Sequence, residues 1–532
     1  MRLPDDHRPA RHWTRRWWPL LVACPLWLAP LSLTQAEAPA PRGLPALGDG
    51  GDITLGEERR LGDQIARALY RDPDYLDDPV IDGYLQAIWR PLVAAARQRG
   101  DLSPELAERF AWDILVGRDR SVNAFALPGG YLGVHLGLLA TVATPDELAS
   151  VLAHELSHVS QRHIARLITR QSQQAPWVIA SMILGALAAS AAKNVDIANA
   201  AIVGGQAVAA QSQLNFSRDM EREADRVGFG IMTEAGFDGM GFVTMFDKLQ
   251  QSSRLNDDGG FPYLRSHPLT TERMADMRAR VPHHGHTDAP REGAGRAPVS
   301  AAYHAMVAAR ARVLAETAVD RLRALAATAP SLNGPQADPA ALGQRYAATL
   351  AALRLRDPAL AATGLKHLRA APPADADARQ ALDWLELEVL TALPSAAPPA
   401  RLASLRDSAL GHDHRTSLLL GARASLGADP ATRQRAAQRL QTWTTLHPRD
   451  ATAWQALASL HLAQEQPVRA ARADAEARLA HRDAAGALER FKAAQQLARN
   501  RPTDHIELSI LDARVREAEQ LVREDLREAN RR

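Results

Sequence analysis

Apolar residues recur at helical spacing along most of the chain. Leu148, Val151, Leu152, Leu156 and Val159 form one stripe, and Pro145, Asp146 and Glu147 after Thr144 supply a helix start. Upstream, Thr54-Leu55-Gly56-Glu57 predicts a capped helix running toward Leu69, with Glu57 closing the box. A second helix is expected after Asp78-Pro79, with Ile81, Leu85 and Ile88 on one face. Both read as structural cover. The pattern turns strand-like over Phe110 to Val116, Val122 to Leu127 and Tyr131 to Val134, with Pro128-Gly129-Gly130 before the last. That predicts a small sheet beside the striped helix, whose edge could accept an added extended peptide; the plainer reading is a packing element. Helical periodicity resumes at Ser217 to Gly228 and continues to Leu249, with a break at Ala235-Gly236-Phe237-Asp238.

From Ala301 onward, helical segments alternate with Asp-Pro, Pro-Pro and Gly breaks, in an alanine- and leucine-rich composition suited to helices. A 34-residue register places Ala424, Ala436, Leu440 and Pro448 at tetratricopeptide positions. A shifted one places Ala471, Ala475, Ala487, Phe491 and Ala494 likewise, and Trp454 and Leu457 look like the start of another first helix. Small residues there let paired helices approach closely and bury a continuous core. The alternative is a non-repetitive alanine-rich bundle. A solenoid would offer a groove to another protein. The Pro/Gly/His-rich stretch 281–300, with His283, His284 and His286, reads as a linker between 51–280 and a TPR-like repeat domain at 301–532.

The first 36 residues change the picture of where the chain works. Arg2, Arg8, Arg11, Arg15 and Arg16 precede an apolar run from Trp17 to Leu33 and a small-residue site near Ala36, the form of an export signal. A retained anchor and a lipoprotein-type box at Leu21-Val22-Ala23-Cys24 are the alternatives. Residues 37–50 follow as a Pro/Ala/Gly linker. Five arginines against two aspartates put +3 in residues 1–36, so the whole-chain formal charge of +2 becomes −1 from residue 37 on. The basic balance therefore gives no warrant for a nucleic-acid partner. Cys24 is the one cysteine, so no disulfide framework is expected and any metal must be held by histidine and carboxylate. Trp177 to Ala192 carries no charge, and 176–210 is expected to be a lid-like or peripherally membrane-contacting excursion, with a plain buried helix and a two-pass membrane insertion as the alternatives.

Candidate chemistry lies on the striped helix. In Leu152–His163, LAHELSHVSQRH, His154 and His158 stand four apart on one face and could share one Zn²⁺, with Glu155 beside them to take a proton from water. A third ligand is needed, and Ser217–Gly228, SRDMEREADRVG, offers one. Glu221 can complete a His/His/Glu set, Asp225 is placed to orient a histidine through its other nitrogen, and Glu223, about 160° from Asp225 around the helix, is expected to face solvent. His267, in SHPLTTER, could approach the metal, stabilise an oxyanion or simply start a helix.

Four ordered motifs, NAFALPGG (123–130), HELSH (154–158), SRDMEREAD (217–225) and SHPLTTER (266–273), resemble the zinc metallopeptidases that include HtpX and the CAAX prenyl proteases. The layout of signal, peptidase domain and C-terminal repeats is most similar to the periplasmic β-barrel assembly-enhancing proteases of that family. The resemblance implies a mainly α fold with a small sheet, a zincin-type metallopeptidase domain followed by an α-helical solenoid. It implies His154, His158 and Glu221 as ligands of one zinc ion, Glu155 as general base, Asp225 closing the ExxxD motif, and His267 occupying or regulating the metal's open position. It further implies a periplasmic endopeptidase of a Gram-negative cell, associated with the inner face of the outer membrane. That enzyme would degrade misfolded or stalled outer-membrane proteins and engage the β-barrel assembly machinery through its repeats. The competing expectation is a repeat-based chaperone or scaffold with a largely latent peptidase site.

Overall fold

The computed structural model describes residues 53–171, 216–255, 261–281, 298–328, 338–370, 372–393, 398–499, 501 and 504–530. The expected export signal and linker (1–36, 37–50), the apolar excursion at 176–210, and His283, His284 and His286 lie outside them. Helix α1 (Leu55–Tyr70) starts at the capping box, Thr54 accepting from Glu57 N–H while Glu57 accepts from Thr54 N–H. Helix α2 (Pro79–Arg99) starts at Asp78, which accepts from Val80 and Ile81 N–H, and stops where Gly100 turns left-handed. A short α3 (Pro104–Arg109) leads into strand β1 (Asp113–Gly117). Strands β2 (Ala124–Leu127) and β3 (Tyr131–His135) complete a three-stranded sheet of order β1-β3-β2, β1 parallel and β2 antiparallel to β3. The turn between β2 and β3 needs its glycines: Gly129 and Gly130 have φ of 73° and 84°, where a side chain would be strained.

After α4 (Leu136–Thr141) comes the striped helix, α5 (Pro145–Ser160), capped by Thr144. The sequence suggests one apolar face, but every residue of α5 except Asp146 is buried. The physical reason is that β2, α2, α7 (Arg218–Glu234) and α8 (Met240–Leu255) surround it. Its hydroxyls are satisfied locally: Ser150 donates to Glu147 O and Ser157 to Ala153 O, each at 2.7 Å. Packing with α8 is close enough that a Cβ on Gly241 would lie 2.4 Å from Asp146 O. Helix α6 (His163–Gln171) follows α5, while the short α9 (Tyr263–Ser266) and α10 (Thr271–Arg280) close the other side.

The remaining chain is a long run of helices resembling a solenoid. Its members are α11 (Ala301–Ala315), α12 (Val319–Ala327), α13 (Pro339–Arg354), α14 (Pro358–Ala370), α15 (Ala376–Ala392) and α16 (Pro399–Gly411). They continue as α17 (Arg415–Ser425), α18 (Pro430–Leu446), α19 (Ala451–Ala463), α20 (Pro467–Ala480), α21 (Ala484–Arg499) and α22 (His505–Asn530). From α12 on, each packs against the next. The Asp-Pro breaks are helix starts, Asp338 and Asp429 accepting from amides in the first turn behind Pro339 and Pro430. Ala436, Leu440, Ala475, Ala487, Phe491 and Ala494 are fully buried between helices, whereas Pro448 is exposed.

The described residues make one compact body. A hydrophobic core runs from Val80 to Ala424, so α11 shares it with α2 and α4. Polar ties cross the same boundary. Arg310 forms paired contacts of 2.7–2.8 Å with Asp78 and Glu388, and Thr416 Oγ1 donates to Pro79 O at 2.7 Å. Farther along, Arg482 pairs with Asp63 and Arg71 with Asp483, fastening α1 to the last helices. Among the described residues, no helix is long and apolar enough to cross a membrane.

Candidate metal centre

Helix α5 presents His154 and His158 one turn apart, α7 brings Glu221 across from them, and the residue after α9 brings His267. All four are buried, and one ligand atom from each lies within 4.8 Å of every other. His154 Nε2 is 2.9 Å from His158 Nε2 and 3.3 Å from His267 Nδ1. Glu221 Oε1 is 3.4 Å from His158 Nε2 and 3.0 Å from His267 Nδ1, and its Oε2 is 3.5 Å from His154 Nε2. Zinc bonds of about 2.0–2.1 Å imply edges of about 3.3 Å in a tetrahedron of ligands. The measured separations scatter around that value. Imidazole nitrogens and a carboxylate converging in a dry site would also be stabilised by a cation among them. The donor set, nitrogen and oxygen without sulfur, fits zinc.

Around these atoms sits an outer layer. Asp225 Oδ1 lies 2.9 Å from His154 Nδ1, and Arg273 holds both carboxylate oxygens of Asp225 at 2.6 and 2.8 Å. Arg273 Nη1 also lies 2.7 Å from Glu221 Oε2 and donates to Pro268 O at 2.8 Å. Glu155 turns toward the sheet, its Oε2 accepting from Ala126 N–H of β2 at 2.9 Å. Its Oε1 is buried without a hydrogen-bond partner, 3.4 Å from His267 Nε2. Phe216 stacks on His158 with centroids 3.8 Å apart, and Tyr263 stacks on His267 at 4.6 Å.

The electrostatics diverge between the two histidines of α5. Burial drives the His158 imidazolium well below its usual range. Burial acts the same way on His154, but Asp225 and Glu221 outweigh it and push that ring up to about 9. Glu155 is raised by burial, against the neighbouring imidazoles. Glu221 is held well below the usual carboxylate range, because its interaction with His267 and hydrogen bonds from the imidazoles around it outweigh burial. Asp225 is likewise lowered, Arg273 and His154 overcoming burial.

The structure thus brings His154, His158, Glu221 and His267 to one point, with Asp225 behind His154 and Glu155 between the cluster and β2. Glu223 faces solvent only in part, where its helical phase suggested full exposure. It is half-buried, its Oε2 3.0 Å from His163 Nε2 and 3.0 Å from Arg166 Nη2. The reason is that two side chains of α6, His163 and Arg166, reach across to that side of α7. Arg273, His163 and Arg166 carried no signal of their own, although Arg273 ends the SHPLTTER stretch and His163 ends LAHELSHVSQRH. Their roles depend on contacts 48 to 60 residues apart in sequence.

Residues 82–281 match the model of peptidase family M48. Over 243 residues the chain is 36% identical to a beta-barrel assembly-enhancing protease homologue of Vibrio cholerae, covering 45% of this chain and 48% of that protein. It is 32% identical over 240 residues to the Escherichia coli beta-barrel assembly-enhancing protease, covering 45% and 47%. The Saccharomyces cerevisiae mitochondrial metalloendopeptidase OMA1 is 29% identical over 204 residues, covering 37% and 55%. The chain spans about half the length of the curated relatives it matches.

Proposed function

We propose that this chain is a zinc-dependent endopeptidase of the Gram-negative periplasm that degrades misfolded or stalled outer-membrane proteins and assists β-barrel assembly. The M48 match, the four-residue cluster and the similarity to beta-barrel assembly-enhancing proteases support that reading. The observation that carries the chemistry is the unpartnered, buried Oε1 of Glu155 beside the ligand cluster. His154, His158 and Glu221 would hold one zinc ion, which when bound supplies Lewis-acid chemistry, acidifying water and polarising a carbonyl. Glu155 Oε1 accepts the proton of the attacking water and returns it to the leaving amine, while Oε2 stays fixed on Ala126 N–H. Burial raises the Glu155 carboxyl, which suits a base that must also act as an acid. Asp225, braced by Arg273, orients His154. An extended substrate would add along β2, whose Ala126 amide already marks the position of Glu155.

A second reading, a repeat-based chaperone or scaffold with a largely latent site, draws support from His267. Its Nδ1 stands at the fourth corner of the cluster, where an incoming water or carbonyl would bind. The full-length Glu155→Gln variant separates the two. Truncation at residue 300 would not, because it exposes the core that α2 and α4 share with α11. The enzyme reading expects Glu155→Gln to bind zinc but lose cleavage of an unfolded outer-membrane protein and fail to relieve an outer-membrane assembly defect. Full relief of the defect by that variant would favour the scaffold. Cleavage at the wild-type rate would remove Glu155 from the mechanism. The helical half is assigned to engaging the assembly machinery.

A further inference from the structure

We propose that His163 is a positioning residue for the metal-binding His158, and that Glu223 acts on the metal site only through it. The inference rests on the zinc reading above. His158 directs Nε2 at the cluster, 2.9 Å from His154 Nε2 and 3.4 Å from Glu221 Oε1. Its other nitrogen, Nδ1, faces away and lies 2.8 Å from His163 Nδ1. A nitrogen that binds metal must offer a lone pair, so the ring proton of a neutral His158 is on Nδ1. It is donated to His163 Nδ1, which must then be bare. The His163 proton is therefore on Nε2, 3.0 Å from Glu223 Oε2, where Arg166 Nη2 also donates at 3.0 Å.

Each imidazole N–H now meets an acceptor with both rings neutral. The reversed direction puts the His158 proton on Nε2, aimed into the cluster, and removes the lone pair a metal needs. Metal-competent His158 and this one proton arrangement are the same state. His163 is fully buried, so its pairing on both sides also offsets the cost of burying a polar ring. The comparison with His154 is direct. That ligand is oriented by a carboxylate, Asp225, braced by an arginine, Arg273. His158 receives the same carboxylate-and-arginine support from Glu223 and Arg166, but across an intervening imidazole. Outer-layer partners of this kind fix ring orientation and raise ligand basicity.

The test is zinc affinity of the metal-free full-length protein, measured by chelator competition, for wild type, His163→Ala, His163→Asn, Glu223→Gln and the combinations. His163→Ala is expected to weaken zinc binding about 10–100-fold. His163→Asn, whose amide oxygen can stand in for the accepting Nδ1, should recover most of that loss. Glu223→Gln should weaken binding in the wild-type background and have no effect in either His163 variant. Co²⁺-substituted His163→Ala should show shifted d–d bands and His163→Asn bands close to wild type, a rescue that general loosening of α6 would not give. Additive losses for Glu223→Gln and His163→Ala, or His163→Ala binding zinc within twofold of wild type, overturn the relay alone. A wild-type protein that takes up no zinc overturns the metal reading, and the relay with it.

Discussion

Replacing Arg273 with Met leaves a side chain of similar length and no charge in a site 3% exposed. Asp225, 1% exposed, loses two charge-assisted hydrogen bonds at 2.6 and 2.8 Å, and Glu221 loses a cation 2.7 Å from Oε2. Removing one partner of a buried ion pair costs about 3–5 kcal/mol, because the other charge stays buried. Unfolding entropy scales to about 1 kcal/mol/K for a chain of 532 residues, so that loss lowers Tm by only about 3–5 °C. Urea unfolding followed by circular dichroism is the better assay, on metal-free protein.

The pH dependence carries the sign. In the wild type the Asp225 carboxyl is lowered, so its contribution is full above the unfolded pKa and fades as pH falls through the folded one. Without Arg273 that fading should begin at higher pH. Arg273→Lys should lose less, since it keeps the charge without the two-pronged geometry. A metal-free Arg273→Met protein whose urea midpoint matches wild type at pH 7 would refute the reasoning.

Three further outcomes follow from the same structure. Chelation should lower Tm and added zinc should restore it, with about 2.7 kcal/mol gained at free zinc one hundred times Kd; calorimetry with and without chelator checks this. Burial raises Asp77 to about 6, so its proton-bound form is favoured in the fold and its contribution to stability declines as pH rises from about 4 to 6. Asp77→Asn should therefore be more stable than wild type at pH 7, with the gap closing by pH 4 in paired urea titrations. Phe491→Ala, at a fully buried ring between α20, α21 and α22, should cost about 3–5 kcal/mol and speed proteolytic release of the C-terminal helices.

Much of the local structure was legible because it depends on neighbours in sequence. Thr54 with Glu57, Asp78 with Pro79, and Thr144 with Pro145 each mark a helix start that the backbone then uses. Spacing also put His154 above His158. It could not say how α5 is enclosed, because burial on every side is supplied by β2, α2, α7 and α8. The phase argument for Glu223 was right only in part, for the same reason: a helical wheel gives direction, not what lies in that direction. The small sheet was expected, but its order β1-β3-β2 depends on β1 pairing parallel with a strand two elements later.

By itself, the sequence determined which side chains could carry the chemistry, an imidazole pair one turn apart and acidic residues on a second helix, because helical geometry is local. The tertiary structure decided which of them meet. It set His267 Nδ1 3.3 Å from His154 across 113 residues, placed Arg273 against two carboxylates, and interposed His163 between His158 and Glu223. Those contacts come from the packing of α5, α6, α7 and α10, and packing distance falls off with space rather than with position along the chain.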